Sequence, residues 1–126
     1  MQMFDELTKY KEKNHFFLSP SDNLVKVCNV PENKSGIYII YALKNGGIEL
    51  VQIACSNENE AIRNQIIKQQ FFWRSKMQKE NIEALDIYWY ITQTSESLND
   101  PGKIKEKLLI THQEIYGYAP GWNIND

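Results

Sequence analysis

Two apolar runs that meet at Asn45-Gly46-Gly47 constrain this chain more than any other stretch. Residues 36–43 (Gly-Ile-Tyr-Ile-Ile-Tyr-Ala-Leu) and 48–54 (Ile-Glu-Leu-Val-Gln-Ile-Ala) are rich in β-branched and aromatic residues, the composition of strands. The asparagine and the glycines between them accept positive φ, so a tight turn can reverse the chain with the twist that paired strands need. A β-hairpin is expected here. In its first strand Ile37, Ile39, Tyr41 and Leu43 share one face, and Tyr38 and Ile40 share the other. Both faces are apolar, which places this strand inside a sheet and under cover on both sides.

The rest of the chain reads as structure closing over that hairpin. Ser56-Asn57 is a helix-start signal, and Ile62, Ile66, Gln69 and Trp73 form one stripe, with Ile67 and Phe71 beside it. The spacing predicts a helix from about 58 into the seventies. A polar break around 78–84 follows, and then residues 85–92 (Leu-Asp-Ile-Tyr-Trp-Tyr-Ile-Thr) read as a third strand. Pro101 after Asp100 starts a last helix that carries Ile104, Leu108 and Ile115. Residues 1–35 read as a helical lead-in. Met3, Phe4, Leu7 and Tyr10 have helical spacing, the apolar run at 15–18 is stopped by Pro20, and Ser21 or Asp22 caps a turn through Leu24, Val25 and Val27. The order β-β-α-β-α describes an α+β fold in which helices pack against a small sheet. At 126 residues the chain is expected to be one domain.

Composition narrows the function classes. A formal charge of −2 provides no global field to hold the protein on nucleic acid or an anionic membrane. Cys28 and Cys55 are isolated, with no Cys-x-x-Cys spacing, so neither a disulfide framework nor a zinc site is expected. The N-terminus is too charged for a secretory signal, and no apolar run approaches the ~20 residues of a membrane span. These readings place the chain in the cytoplasm, away from membranes.

Gly36-Ile37-Tyr38 opening a strand, a hairpin, a second strand ending in a small residue and Ser56, and a helix with Arg63 together resemble the GIY-YIG nuclease domain. The end of the chain supports the same resemblance, because an apolar helix at 108–110 leads to Tyr118-x-Pro120-x-Trp122-Asn123. The resemblance spans residues 36–123. It implies a three-stranded antiparallel sheet flanked by helices, and phosphodiester hydrolysis by tyrosines, an arginine, a metal-binding glutamate and a terminal asparagine. In that chemistry a positioned tyrosine helps water lose its proton, while a guanidinium and a divalent cation carry the developing charge.

Carried over position by position, Tyr38, Arg63 and Asn123 match the family's catalytic positions. The second motif reads Gln52-Ile53-Ala54, so Gln52 replaces its tyrosine; Ile67 replaces a histidine, and Thr111 replaces the metal-binding glutamate. Glu114 is the nearby carboxylate, but three residues along a helix turn a side chain by about 60° and advance it about 4.5 Å. His112 and Glu114, two apart, do not share a helical face.

Three functions follow from this pattern. The first is a GIY-YIG-like domain with impaired catalysis that needs no cofactor and keeps a groove around Tyr38 and Arg63 for DNA or a protein partner. The second is an active endonuclease using Mg²⁺ or Mn²⁺ at a displaced carboxylate, Glu114. The third is a structural or protein-interaction module. A local basic cluster of Arg63, Lys68, Arg74, Lys76 and Lys79 against Glu60 and Glu80 offers phosphate contacts to the first.

Overall fold

The computed structural model describes residues 4–57, 59–93 and 100–123. Its centre is the expected hairpin. Strand β2 (Gly36–Lys44) pairs antiparallel with β3 (Gly47–Cys55), and Lys44 faces Gly47 across a two-residue turn. Asn45 and Gly46 sit at φ 51° and 77°, the left-handed pair that a right-twisting hairpin requires. Between Ile40 and Tyr41 the register slips, leaving Val51 without a residue opposite it. This bulge turns both Val51 and Gln52 toward one face of the sheet.

The sheet has four antiparallel strands, not three, in the order β1-β4-β2-β3. The extra strand, β1 (Lys13–Leu18), comes from the segment expected to be a helical lead-in, and it pairs along the outer edge of β4 (Ala84–Ile91). Its alternation is weak in sequence because Phe17, on the face opposite Phe16 and Leu18, is 53% exposed. What decides the strand is the bare edge of β4, whose backbone groups need partners. The expected helix over residues 3–13 shrinks to a 3₁₀ turn, Asp5–Lys9; Phe4, Leu7 and Tyr10 are buried as its spacing suggested. Met3 lies outside the described residues, as does most of the polar loop before Asp100.

Helices cover both faces, which leaves β2 buried throughout its first half. On one face, α1 (Leu24–Val27), α2 (Ile62–Lys68) and α3 (Gln70–Glu80) cover Tyr38, Ile40, Ala54, Ile87 and Trp89 with Leu24, Ile62, Ile66, Trp73 and Met77. On the other, α4 (Pro101–Tyr116) and the Asp5–Lys9 turn cover Ile37, Ile39 and Ile53 with Ile104, Leu108, Phe4 and Leu7. Asp100 caps α4 as expected, its side chain accepting from the Gly102 N–H, whereas Ile115 is left 45% exposed.

The long middle helix is two helices. It begins at Ile62 because Ser56 and Asn57 are occupied elsewhere: the Ser56 hydroxyl meets the Gly36 backbone, and the Asn57 side chain accepts from the Asn59 N–H. It breaks at Gln69, which closes α2 and opens α3, and α3 runs on to Glu80 through the expected polar break. No helix among the described residues is long and apolar enough to cross a membrane.

Gly36 is glycine because β4 passes too close for a side chain. A Cβ there would lie 2.0 Å from the Tyr90 carbonyl oxygen. Its N–H donates to Ser56 Oγ at 2.9 Å, and its carbonyl accepts from the Ser56 N–H at 2.9 Å, so the pair clasps the open end of the hairpin. Replacing Gly36 with alanine is expected to cost about 3 kcal/mol or more, because neither backbone can yield without breaking ladder bonds. Urea denaturation of G36A measures this loss.

Candidate functional site

Of the positions that match or replace the GIY-YIG pattern, Tyr38, Gln52 and Arg63 lie on the side of the sheet covered by α1, α2 and α3, and Asn123 lies at the outer edge of β3. Tyr38 is 2% exposed, and its ring meets Trp73 edge-on with centroids 6.2 Å apart. Gln52, opposite Ile40 on β3, is buried too, and its Oε1 accepts the Trp73 indole N–H at 3.2 Å. Trp73 itself is fully buried. The Tyr38 phenol is enclosed against Trp73 in the core. Bringing the indole N–H inside requires an acceptor, since an unmet buried donor costs about 1–3 kcal/mol. Gln52, brought to this face beside the bulge at Val51, is that acceptor.

Arg63 stands on α2 and points at the segment that precedes β2. Its Nη1 donates to the Cys28 carbonyl at 3.1 Å and to the Val30 carbonyl at 2.9 Å. Burial pushes the Cys28 thiol pKa up, although the Val30 backbone and the Arg63 charge pull it the other way. Asn123 is 7% exposed and closes the outer edge of β3: its Oδ1 accepts from the Ile53 N–H at 2.8 Å and its Nδ2 donates to the Ile53 carbonyl at 2.8 Å. One side-chain amide thus supplies the hydrogen bonds a neighbouring strand would make. Trp122 beside it donates from Nε1 to Glu80 Oε2 at 3.2 Å.

The replaced positions fill structural roles too. Ile67 is partly buried on α2. Thr111 returns its hydroxyl to the Lys107 carbonyl at 3.0 Å, one turn back on α4. His112 is 2% exposed and holds the tail through Nδ1 to the Tyr118 carbonyl at 2.8 Å, whereas Tyr116 and Tyr118 are about half exposed. Glu114, on the exposed side of α4, faces a shallow groove with Leu109, Ile110, Gln113, Ala119 and Asn123. Among the described residues, that neighbourhood gathers too few free oxygens for Mg²⁺ or Mn²⁺, which favour several oxygens held in octahedral geometry. The Asn123 amide is committed at both ends to Ile53, and the other neighbours of Glu114 are largely aliphatic. Among the described residues, no group of three His, Cys, Asp or Glu side chains gathers where a metal could bind.

The basic cluster is mostly paired within the protein. Lys68 forms an ion pair with Glu60. Arg74 Nη2 reaches the Asp22 carbonyl at 3.5 Å, and Lys76 lies 3.9 Å from Glu80 and 5.7 Å from the Phe72 ring centre.

A second grouping, unforeseen in the sequence, lies on the other face of the sheet, where β1 and β4 run beyond the cover of α4. His15 pairs with Tyr88 in register and Lys13 with Tyr90. The His15 ring stacks on Tyr88 at 4.7 Å and 12°, and its Nδ1 meets Asp86 Oδ1 at 2.8 Å. Burial pushes the Tyr88 phenol pKa up, followed by the Asp86 charge and a hydrogen bond with Asp86; Tyr90 is raised by burial and then by Tyr88. Tyr41, edge-on to Tyr88, is pushed up from 10.0 to about 12, by burial first and then by Tyr90, Tyr88, Tyr116 and Asp86. In the sequence these residues are an isolated histidine and an aromatic strand. The usable signal was Asp86-x-Tyr88-x-Tyr90, whose alternation puts one acid and two phenols on the same face.

The sequence matches no protein-family model, and neither the curated proteins nor the solved structures contain a detectable match.

Two predictions follow from the buried groups. Gln52→Tyr overpacks the space under Trp73 and removes its acceptor, so the variant should lose about 1–3 kcal/mol in denaturant titrations. Because Tyr41, Tyr88 and Tyr90 release their protons later in the folded chain than in the unfolded one, stability should fall as pH rises from 10 toward about 12. Thermal melts over that window should show the fall, and Tyr41→Phe should flatten it.

Proposed function

We propose that this chain is a GIY-YIG-like domain whose hydrolytic positions have been converted to packing, and that it acts by binding a protein partner rather than by cutting DNA. The observation that carries this reading is the enclosure of Tyr38 and Gln52 with Trp73: a tyrosine that must assist an attacking water needs access to water and phosphate, and this one has neither. Its support in architecture is the order of elements after residue 35: hairpin, paired helices, a strand beside the hairpin's first strand, a helix and an asparagine-bearing tail.

The other family positions agree with that reading. Arg63 is turned toward two carbonyls, Asn123 serves the edge of β3, and Thr111 serves its own helix. Losing a lone metal carboxylate removes a Lewis acid worth several kcal/mol of transition-state stabilisation. Protein is favoured over DNA because Arg63, Lys68, Arg74 and Lys76 all contact internal acceptors, so phosphates would have to compete for them.

The deciding experiment incubates the protein with supercoiled and linear DNA in Mg²⁺ and in Mn²⁺, and measures retention of a short duplex at low salt. No nicking above the blank and no retention are expected. Cleavage that disappears in both Tyr38→Phe and Glu114→Ala would establish the displaced-carboxylate nuclease instead. Retention that weakens in Arg63→Ala and falls steeply with salt would move the proposal from a protein partner to nucleic acid.

A further inference from the structure

We infer that the cleft between β1, β4 and the Asp5–Lys9 turn binds a small organic ligand through an oxyanion, a phosphate monoester or a carboxylate. The cleft encloses about 260 Å³, just under the roughly 300 Å³ at which small-molecule pockets usually begin. Its floor is built by pairing. Alternate residues of a strand face the same way, so Lys13 and His15 of β1 stand beside Tyr90 and Tyr88 of β4, and Leu7 and Thr8 form the opposite wall. The site is separate from the positions discussed above, which lie on the other face of the sheet or around the end of α4, and it does not depend on the GIY-YIG reading.

Two polar atoms in this cleft, Lys13 Nζ and His15 Nε2, make no hydrogen bond among the described residues. Among the described residues the Lys13 ammonium has neither an ion pair nor a hydrogen bond. His15 is held from two sides, by Asp86 at Nδ1 and by the face of Tyr88. With Nδ1 donating to the carboxylate, Nε2 is the ring's remaining polar atom. These two contacts hold the imidazole in the orientation that the cleft uses, and such preorganisation lowers the entropy cost of binding.

Charge selects the class of ligand. Asp86 is engaged by His15 Nδ1, and the Lys13 ammonium stands over the cleft with no carboxylate paired to it among the described residues. Tyr88 and Tyr90 are neutral phenols at neutral pH, so no phenolate opposes an anion. Lys13 therefore supplies the charge, and His15 Nε2 donates to an ionised oxygen or accepts from a protonated one. The aliphatic Leu7 and the tyrosine rings meet the organic part of the ligand.

The test is a titration followed by backbone-amide NMR shifts, with phenyl phosphate, benzoate and, as a cationic counterpart, benzylamine. Saturable shifts confined to residues lining the cleft are expected with an anion and none with benzylamine. Tighter binding of phenyl phosphate marks a phosphate monoester as the ligand class; tighter binding of benzoate marks a carboxylate. Lys13→Gln and His15→Gln should each weaken binding about tenfold, the loss of one charge-assisted hydrogen bond. Lys26→Gln, on the opposite side of the sheet, should leave it unchanged, and melting curves establish that each variant is folded. No saturable shift with either anion up to about 20 mM, where even millimolar affinity would saturate, overturns the proposal. So does weakening by Lys26→Gln equal to that by Lys13→Gln, which would mean nonspecific attraction.

Discussion

Strand β2 has no solvent face in its first half, and everything else in the structure answers to that. A strand buried on both sides contributes hydrophobic area twice, but it needs a layer of helices above and below and a neighbour on each edge. Those requirements account for the hairpin on one side, β4 on the other, and the division of the helices between the two faces. Gly36 lets β4 come close, and the Ser56 clasp keeps the end of the hairpin shut where the chain turns away into α2.

The face covered by α1, α2 and α3 shows how a buried indole is accommodated. Trp73 is fully buried there, against Tyr38. Once an indole is buried its N–H must be met, and a glutamine across the sheet is long enough and polar enough to meet it. Arg63, Asn123 and Thr111 follow the same logic. Each is a strong hydrogen-bonding side chain, and each is used to satisfy backbone carbonyls or an exposed strand edge. Both edges of the sheet are treated alike: Asn123 caps Ile53 on β3, and Asn29 donates to the His15 carbonyl on β1. Capped edges do not invite another chain to add as a strand.

The elements that sequence revealed are those with strong local periodicity or turn chemistry. Asn45-Gly46 announced the hairpin, the alternation of apolar residues placed β2 inside the sheet, and Asp100-Pro101 marked the start of α4. The elements it hid are those decided by distant partners. Strand β1 exists because β4 had an unpaired edge; the residues themselves, including an exposed Phe17, are compatible with other structures. Ser56-Asn57 looked like a helix cap, and lost that role because Gly36, twenty residues earlier, competes for the serine hydroxyl.

By itself the sequence determined the class of fold, the position of the central strand and the residues available for chemistry, since these depend on spacing along the chain and on conformations each residue can adopt alone. Only the tertiary structure decided which side chains remain usable. Tyr38 is enclosed in the core, and Arg63 spends its donors on the Cys28 and Val30 carbonyls. Lys13, His15 and Asp86 look ordinary in sequence, yet strand register brings them together at one open cleft. Burial and cross-strand pairing are set by contacts between distant segments, and no local pattern encodes them.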